Sequence, residues 1–165
     1  MVAKETNHAA ATMRLTDHMS NLGTYTEEHP IRTEYHHDPS IVTDVRLDLG
    51  MGKSLLNLSE MTIQNLAIHS AFSDVTLLYD ELNQTKMEKM DIHAARANVL
   101  IQNIEKARVK LVTIKNDMGN TKISFGSNSQ LYSTVYIQAG VGNCTLDVDE
   151  SHPVKIIIKR GMFSG

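Results

Sequence analysis

The sequence predicts an all-β chain folded as a β-solenoid of about six strand–corner–strand repeats, each 21–24 residues long. Three observations carry this. An apolar anchor recurs at Leu47, Ile68, Ile92, Ile114, Ile137 and Ile158, at steps of 21, 24, 22, 23 and 21 residues. Around each anchor the apolar and polar residues alternate, as a half-buried strand requires. Past each anchor comes a corner of small residues at fixed offsets. A period of 20 to 25 residues with strands in every unit is the text of a stack, because a single unit cannot bury its apolar face alone.

Two residues before the anchors stand Val45, Leu66, Met90, Val112, Val135 and Ile156, which complete one buried face. The residues between and after them include Arg46, Asp48, His69, Asp91, His93 and Lys115, which favour water. Beyond the corner the alternation resumes with Val75 and Leu77, Val99 and Ile101, Thr121 and Ile123, Cys144 and Leu146.

Two corner columns hold small residues, with Asp117 the exception. Three past the anchor come Gly50, Ala71, Ala95, Asp117, Gly140 and Gly161; five past it come Gly52, Ser73, Ala97, Gly119 and Gly142. Alanine in these columns argues against positive φ as the common demand, since a Cβ there costs about 1–2 kcal/mol. Crowding between corners stacked about 4.8 Å apart is the expected cause. Six past the anchor stand Asp74, Asn98, Asn120 and Asn143. Such residues suit αL turns and, when stacked, side-chain ladders. The alternative fold is an antiparallel β-sandwich of stacked hairpins. The corners lack the Asn-Gly and Asp-Gly pairs that tight hairpins favour, and this tips the balance to the solenoid.

Leu47-Asp48-Leu49-Gly50-Met51-Gly52, Asp117-Met118-Gly119-Asn120-Thr121 and Ala139-Gly140-Val141-Gly142-Asn143 resemble the toast-rack repeats of bacterial envelope proteins. That group includes the C-terminal domain of the cell-wall-active antibiotics response proteins and related adhesins. The resemblance runs from about Ile41 to Gly165. It implies a right-handed, β-helix-like domain with a regulatory or interaction role in the cell envelope and no catalysis. This chain departs from the pattern by having no membrane span and by stopping inside its sixth repeat.

Taken in order, residues 1–30 read as a mobile polar arm and 31–165 as the solenoid domain. Within the arm, Ala9 to Leu15 suits a turn or two of helix, marginal in isolation. Ile31 to Tyr35, between Pro30 and Pro39, alternates like a capping strand. Three linkers differ: Ser59–Gln64 is short, with Met61 and Ile63 able to supply a third wall; Asp80–Lys89 is long and charged and is expected to bulge outward; Gly126–Gln130 is a loop by composition.

The composition fits a thin-cored stack: 41% hydrophobic residues, only 5% aromatic and no Trp. A net charge of −3 without a Lys/Arg run argues against nucleic acid and anionic membrane surfaces. The single cysteine, Cys144, lies in an inward column and reads as a small buried apolar residue. No apolar run reaches the roughly 20 residues of a membrane helix, and the polar start lacks a signal-peptide core. Two settings fit: the cytoplasm, or the cell envelope with any anchor absent from this chain.

The chemical motifs are weak. Gly50-Met51-Gly52-Lys53-Ser54 ends like a phosphate-binding loop, but Leu47 stands where the leading glycine belongs and strand text follows where a helix is needed. His36-His37-Asp38 alternates sides in extended chain and reads as solvated loop. His69 and His93 share an outward column, without a third metal ligand beside them. No cofactor, metal or catalytic set is expected. Two functions remain: a non-catalytic interaction or regulatory domain of cell-envelope stress type, and a self-associating structural or adhesive module. The candidate interaction edge is the last repeat, Ile156, Ile157, Ile158, Met162 and Phe163, where a terminal rung exposes unpaired backbone.

Overall fold

The computed structural model describes residues 10–16, 40–59, 61–126 and 132–161. The chain is a parallel β-solenoid of about five turns. Its strands are β1 (Ala10–Thr16), β2 (Val42–Asn57), β3 (Ile63–Leu78), β4 (Met87–Arg96), β5 (Val99–Gln102), β6 (Val109–Met118), β7 (Thr121–Phe125), β8 (Ser133–Val141), β9 (Cys144–Val148) and β10 (Val154–Arg160), with one 3-10 turn at Ile104–Ala107. Every strand pair is parallel. That pairing rules out the hairpin sandwich, whose neighbours would run antiparallel.

The strands form two ladders. The first stacks β1, the front halves of β2 and β3, then β4, β6, β8 and β10. The second stacks the back halves of β2 and β3, then β5, β7 and β9. In the first ladder Leu47 aligns with Ile68, Ile68 with Ile92, Ile92 with Ile114, Ile114 with Ile137, and Ile137 with Ile158. The anchor column is therefore one line along the solenoid. Leu47, Ile68, Ile92, Ile114 and Ile137 are buried, whereas Ile158 is 42% exposed in the outermost coil.

In the first two coils the strand runs unbroken through the corner, giving β2 and β3 their 16 residues each. From the third coil on, the corner separates two strands. Between the end of the second ladder and the next strand of the first, Tyr79, Ile104 and Ala107 are buried, and the first-ladder strands open on buried Ile63, Met87 and Val109. The Asp80–Lys89 linker does not simply bulge outward, because Asn83 turns in from it at 2% exposure. Its Oδ1 accepts from the Ile63 N–H at 2.9 Å, and its Nδ2 donates to the Ile63 carbonyl at 2.8 Å and the Ala107 carbonyl at 3.3 Å. One amide side chain thus bonds backbone in the coils on either side, which satisfies buried groups that have no strand partner. The 3-10 turn is bounded by Asn103 (φ 55°) and Arg108 (φ 53°), both left-handed.

The N-terminal reading needs correcting. Residues 10–16 are not helical; they form β1, parallel to β2, with Leu15 in register with Leu47. Tertiary pairing overrides a weak local helix preference there. The expected capping strand at Ile31–Tyr35, the His36-His37-Asp38 run, and residues 127–130 of the Gly126–Gln130 loop lie outside the described residues.

Candidate interaction surface

The corner is the most regular outward feature, and backbone contact between coils builds it. Ala97 donates its N–H to the Met118 carbonyl at 2.9 Å, and Gly119 to the Val141 carbonyl at 2.8 Å. A Cβ on Gly140 would fall 2.1 Å from the Asp117 carbonyl oxygen, and one on Gly119 2.0 Å from that of Ala97. Crowding is therefore real in both small columns. It is not the whole cause: Gly52, Gly119 and Gly142 have φ of 124°, 131° and 135°, while Ser73 and Ala97 in the same column do not have positive φ. Gly50, Ala71 and Ala95 occupy the companion column without positive φ.

Beside the corner runs the amide ladder. Asp74 Oδ1 accepts from the Asn98 N–H at 2.7 Å; Asn98 Oδ1 from the Asn120 N–H at 3.1 Å; Asn120 Oδ1 from the Asn143 N–H at 3.0 Å. None of these residues has positive φ, so the αL expectation gives way to the ladder. Between the two small columns stands a row the sequence reading passed over: Met51 (59% exposed), Phe72 (51%), Met118 (45%) and Val141 (45%), interrupted by Arg96. Its signal was present, since each is a large residue flanked by small ones at a constant offset of four from the anchor.

Two outward groups are chemically thin. His69 and His93 do come together, with ring centroids 5.9 Å apart and edge-to-face. Each faces a carboxylate, His69 Nδ1 at 3.9 Å from Asp48 and His93 Nε2 at 3.6 Å from Asp117. Among the described residues no group of three or more such side chains is placed to hold a metal. A cleft of about 340 Å³ lies beside them, lined by Asp44, Arg46, Asn65, Ala67, Lys89 and Asp91. Its polar groups are engaged with one another: Asn65 Nδ2 donates to Asp44 at 2.7 Å, and Lys89 meets Asp91 at 2.7 Å. The Gly52-Lys53-Ser54 run lies inside β2, so no helix N-terminus follows to cradle a phosphate. Cys144 is half-buried against the core, not fully buried as its column suggests, and that burial pushes its thiol up, only partly offset by the Arg160 charge.

The last coil differs from all the others. β10 pairs with β8 on one side, and no strand lies on its far side among the described residues. Ile156 and Ile157 are half-buried and Ile158 is exposed. Ile156 and Ile158 continue the inward columns, while Lys155, Ile157 and Lys159 continue the outward ones. Met162 and Phe163 lie outside the described residues.

Compared with protein families, curated proteins and solved structures, the chain matches none.

Proposed function

We propose that this chain is a non-catalytic interaction domain that binds through the free edge of β10. One observation carries the reading: a strand edge with no partner strand among the described residues, with apolar Ile156 and Ile158 on one face and cationic Lys155 and Lys159 on the other. Such an edge accepts an extended segment by strand addition, in which backbone bonds supply affinity and alternate side chains supply specificity. The favoured segment alternates apolar residues, which would cover Ile156 and Ile158, with acidic ones, which would meet the lysines. A setting in the cell envelope, with a regulatory or stress-response role, rests on the resemblance of the corner repeats to toast-rack domains. No helix among the described residues is long and apolar enough to cross a membrane.

Fluorescence anisotropy with labelled extended peptides tests the binding mode. A peptide alternating Val or Ile with Asp or Glu should bind, and the same peptide with Lys in place of its acids should not. Lys155→Glu with Lys159→Glu should invert that preference. Absence of binding, or binding indifferent to both charge changes, contradicts the reading.

A further inference from the structure

We infer that His69, His93 and Asp117 form a binding site for a divalent transition-metal ion of the zinc type, with one ligand from each of three consecutive coils. His69 lies in β3, His93 in β4 and Asp117 in β6. The column that the two histidines share offers no third ligand. The structure supplies one on the diagonal, from the corner column in which Asp117 is the only residue that is not small.

Asp117 has a neighbour that accounts for it. Its Oδ2 stands 3.6 Å from His93 Nε2, too far for a hydrogen bond. That nitrogen is closed to solvent and has no hydrogen-bond partner among the described residues. The gap has the spacing of two ligands rather than of a donor and an acceptor. Two bonds of about 2.1 Å meeting at a tetrahedral angle hold nitrogen and oxygen about 3.4 Å apart.

His69 completes the set. The register places it directly opposite His93, on a strand about 4.8 Å away. The ring centroids are 5.9 Å apart with the planes at 72°. Two imidazoles on one tetrahedral ion have ring centres about 5 Å apart, so the pair needs to close by about 1 Å. The His69 side chain is 50% exposed and can turn. Its Nδ1 faces Asp48 at 3.9 Å, which leaves Nε2 for the ion and gives the ring a carboxylate of the kind that orients ligating histidines. Ala71 and Ala95, two residues further along the same face of β3 and β4, are too short to crowd the position. Among the described residues no three ligands already converge; the turn of His69 brings them together, and water takes the fourth position.

Charge and ligand type decide which ion fits. Asp48 lies 3.5 Å from Arg46, Asp91 2.7 Å from Lys89, and Asp117 3.4 Å from Lys115. Each carboxylate is matched by a base, so the patch holds no excess negative charge for a hard cation. Ca2+ and Mg2+ require shells of oxygen, whereas imidazole suits Zn2+, Ni2+ and Cu2+. An ion held by β3, β4 and β6 ties three coils in register, and so stabilises the folded stack.

Zinc chloride titrated into the full chain tests the inference. The five histidines within residues 1–40 can also take up zinc, so the readout is local: backbone amide NMR, with thermal melts beside it. Zn2+ should shift the signals of His69, His93 and Asp117 together, and Ca2+ or Mg2+ at the same concentration should not. His93→Gln should abolish those shifts while the rest of its spectrum stays that of the parent, and zinc should raise its Tm less than the parent's. Asp117→Asn should weaken binding at these signals by at least the ~tenfold that loss of even an outer partner costs. Lys115→Gln, which removes the ammonium beside Asp117, should tighten binding, an outcome that no folding defect produces. The inference is overturned if zinc shifts only signals outside this patch, if the shifts survive His93→Gln, or if Ca2+ or Mg2+ reproduces them. It is overturned equally if Asp117→Asn leaves the affinity unchanged or Lys115→Gln binds no more tightly.

Discussion

Gly52 and Gly142 occupy the same corner column and separate two demands that the sequence cannot. Both have positive φ, but a Cβ on Gly52 would meet nothing within 4 Å, whereas one on Gly142 would lie 2.2 Å from the Gly119 carbonyl oxygen. Gly52→Ala therefore incurs only the backbone cost, about 1–3 kcal/mol. Gly142→Ala adds a collision with fixed backbone in the coil beneath and should cost distinctly more. Urea unfolding of the two variants makes the comparison. Alanine at Gly142 is not a mild change, as simple packing of small side chains would have made it; here the backbone angle and the close approach act together. Equal losses at the two sites would remove crowding as a cause.

The turn between β9 and β10 is held by a buried imidazole. His152 is 5% exposed, lies against the Phe125 ring with centroids 4.8 Å apart and the planes tilted by 42°, and has no hydrogen-bond partner at either ring nitrogen among the described residues. Burial lowers its pKa from the ordinary 6.5, with the Glu105 and Asp149 charges acting in the opposite sense. With the folded pKa depressed, the unfolded chain binds more protons below pH 6.5, so stability falls as pH drops from 6.5 towards the folded value. Thermal melts across that window should show the decline, and His152→Leu should flatten it. An unchanged slope would mean that other groups govern the acid side.

The elements also show what the sequence exposes and what it hides. Ile68, Ile92, Ile114 and Ile137 were legible because two periods coincide on them, the alternation within a strand and the repeat between coils. Asn83 was not, since it stands in the linker between repeats and its partners Ile63 and Ala107 are 20 and 24 residues away. β1 was hidden because its Leu15 precedes Leu47 by 47 − 15 = 32 residues, outside the 21–24-residue step. The lysines on β10 were readable, but the position of that strand at the end of the first ladder emerges only from the pairing.

At the scale of the whole molecule, the register carries the rest: the buried anchor line, the corner contacts, and the place of β10 at the end of the first ladder. It can be measured as a ruler. Arg46, Ala67, Asp91, Thr113, Tyr136 and Ile157 form one outward column. With Cys144→Ser, spin labels are placed at position 46 and in turn at 113, 136 and 157, and labelled chain is diluted into excess unlabelled chain. Dipolar spectroscopy should then give separations that grow in equal steps, about 14, 19 and 24 Å for three, four and five coils at 4.8 Å each. Separations that fail to increase in that order would contradict the parallel stack, and with it the placement of both edges.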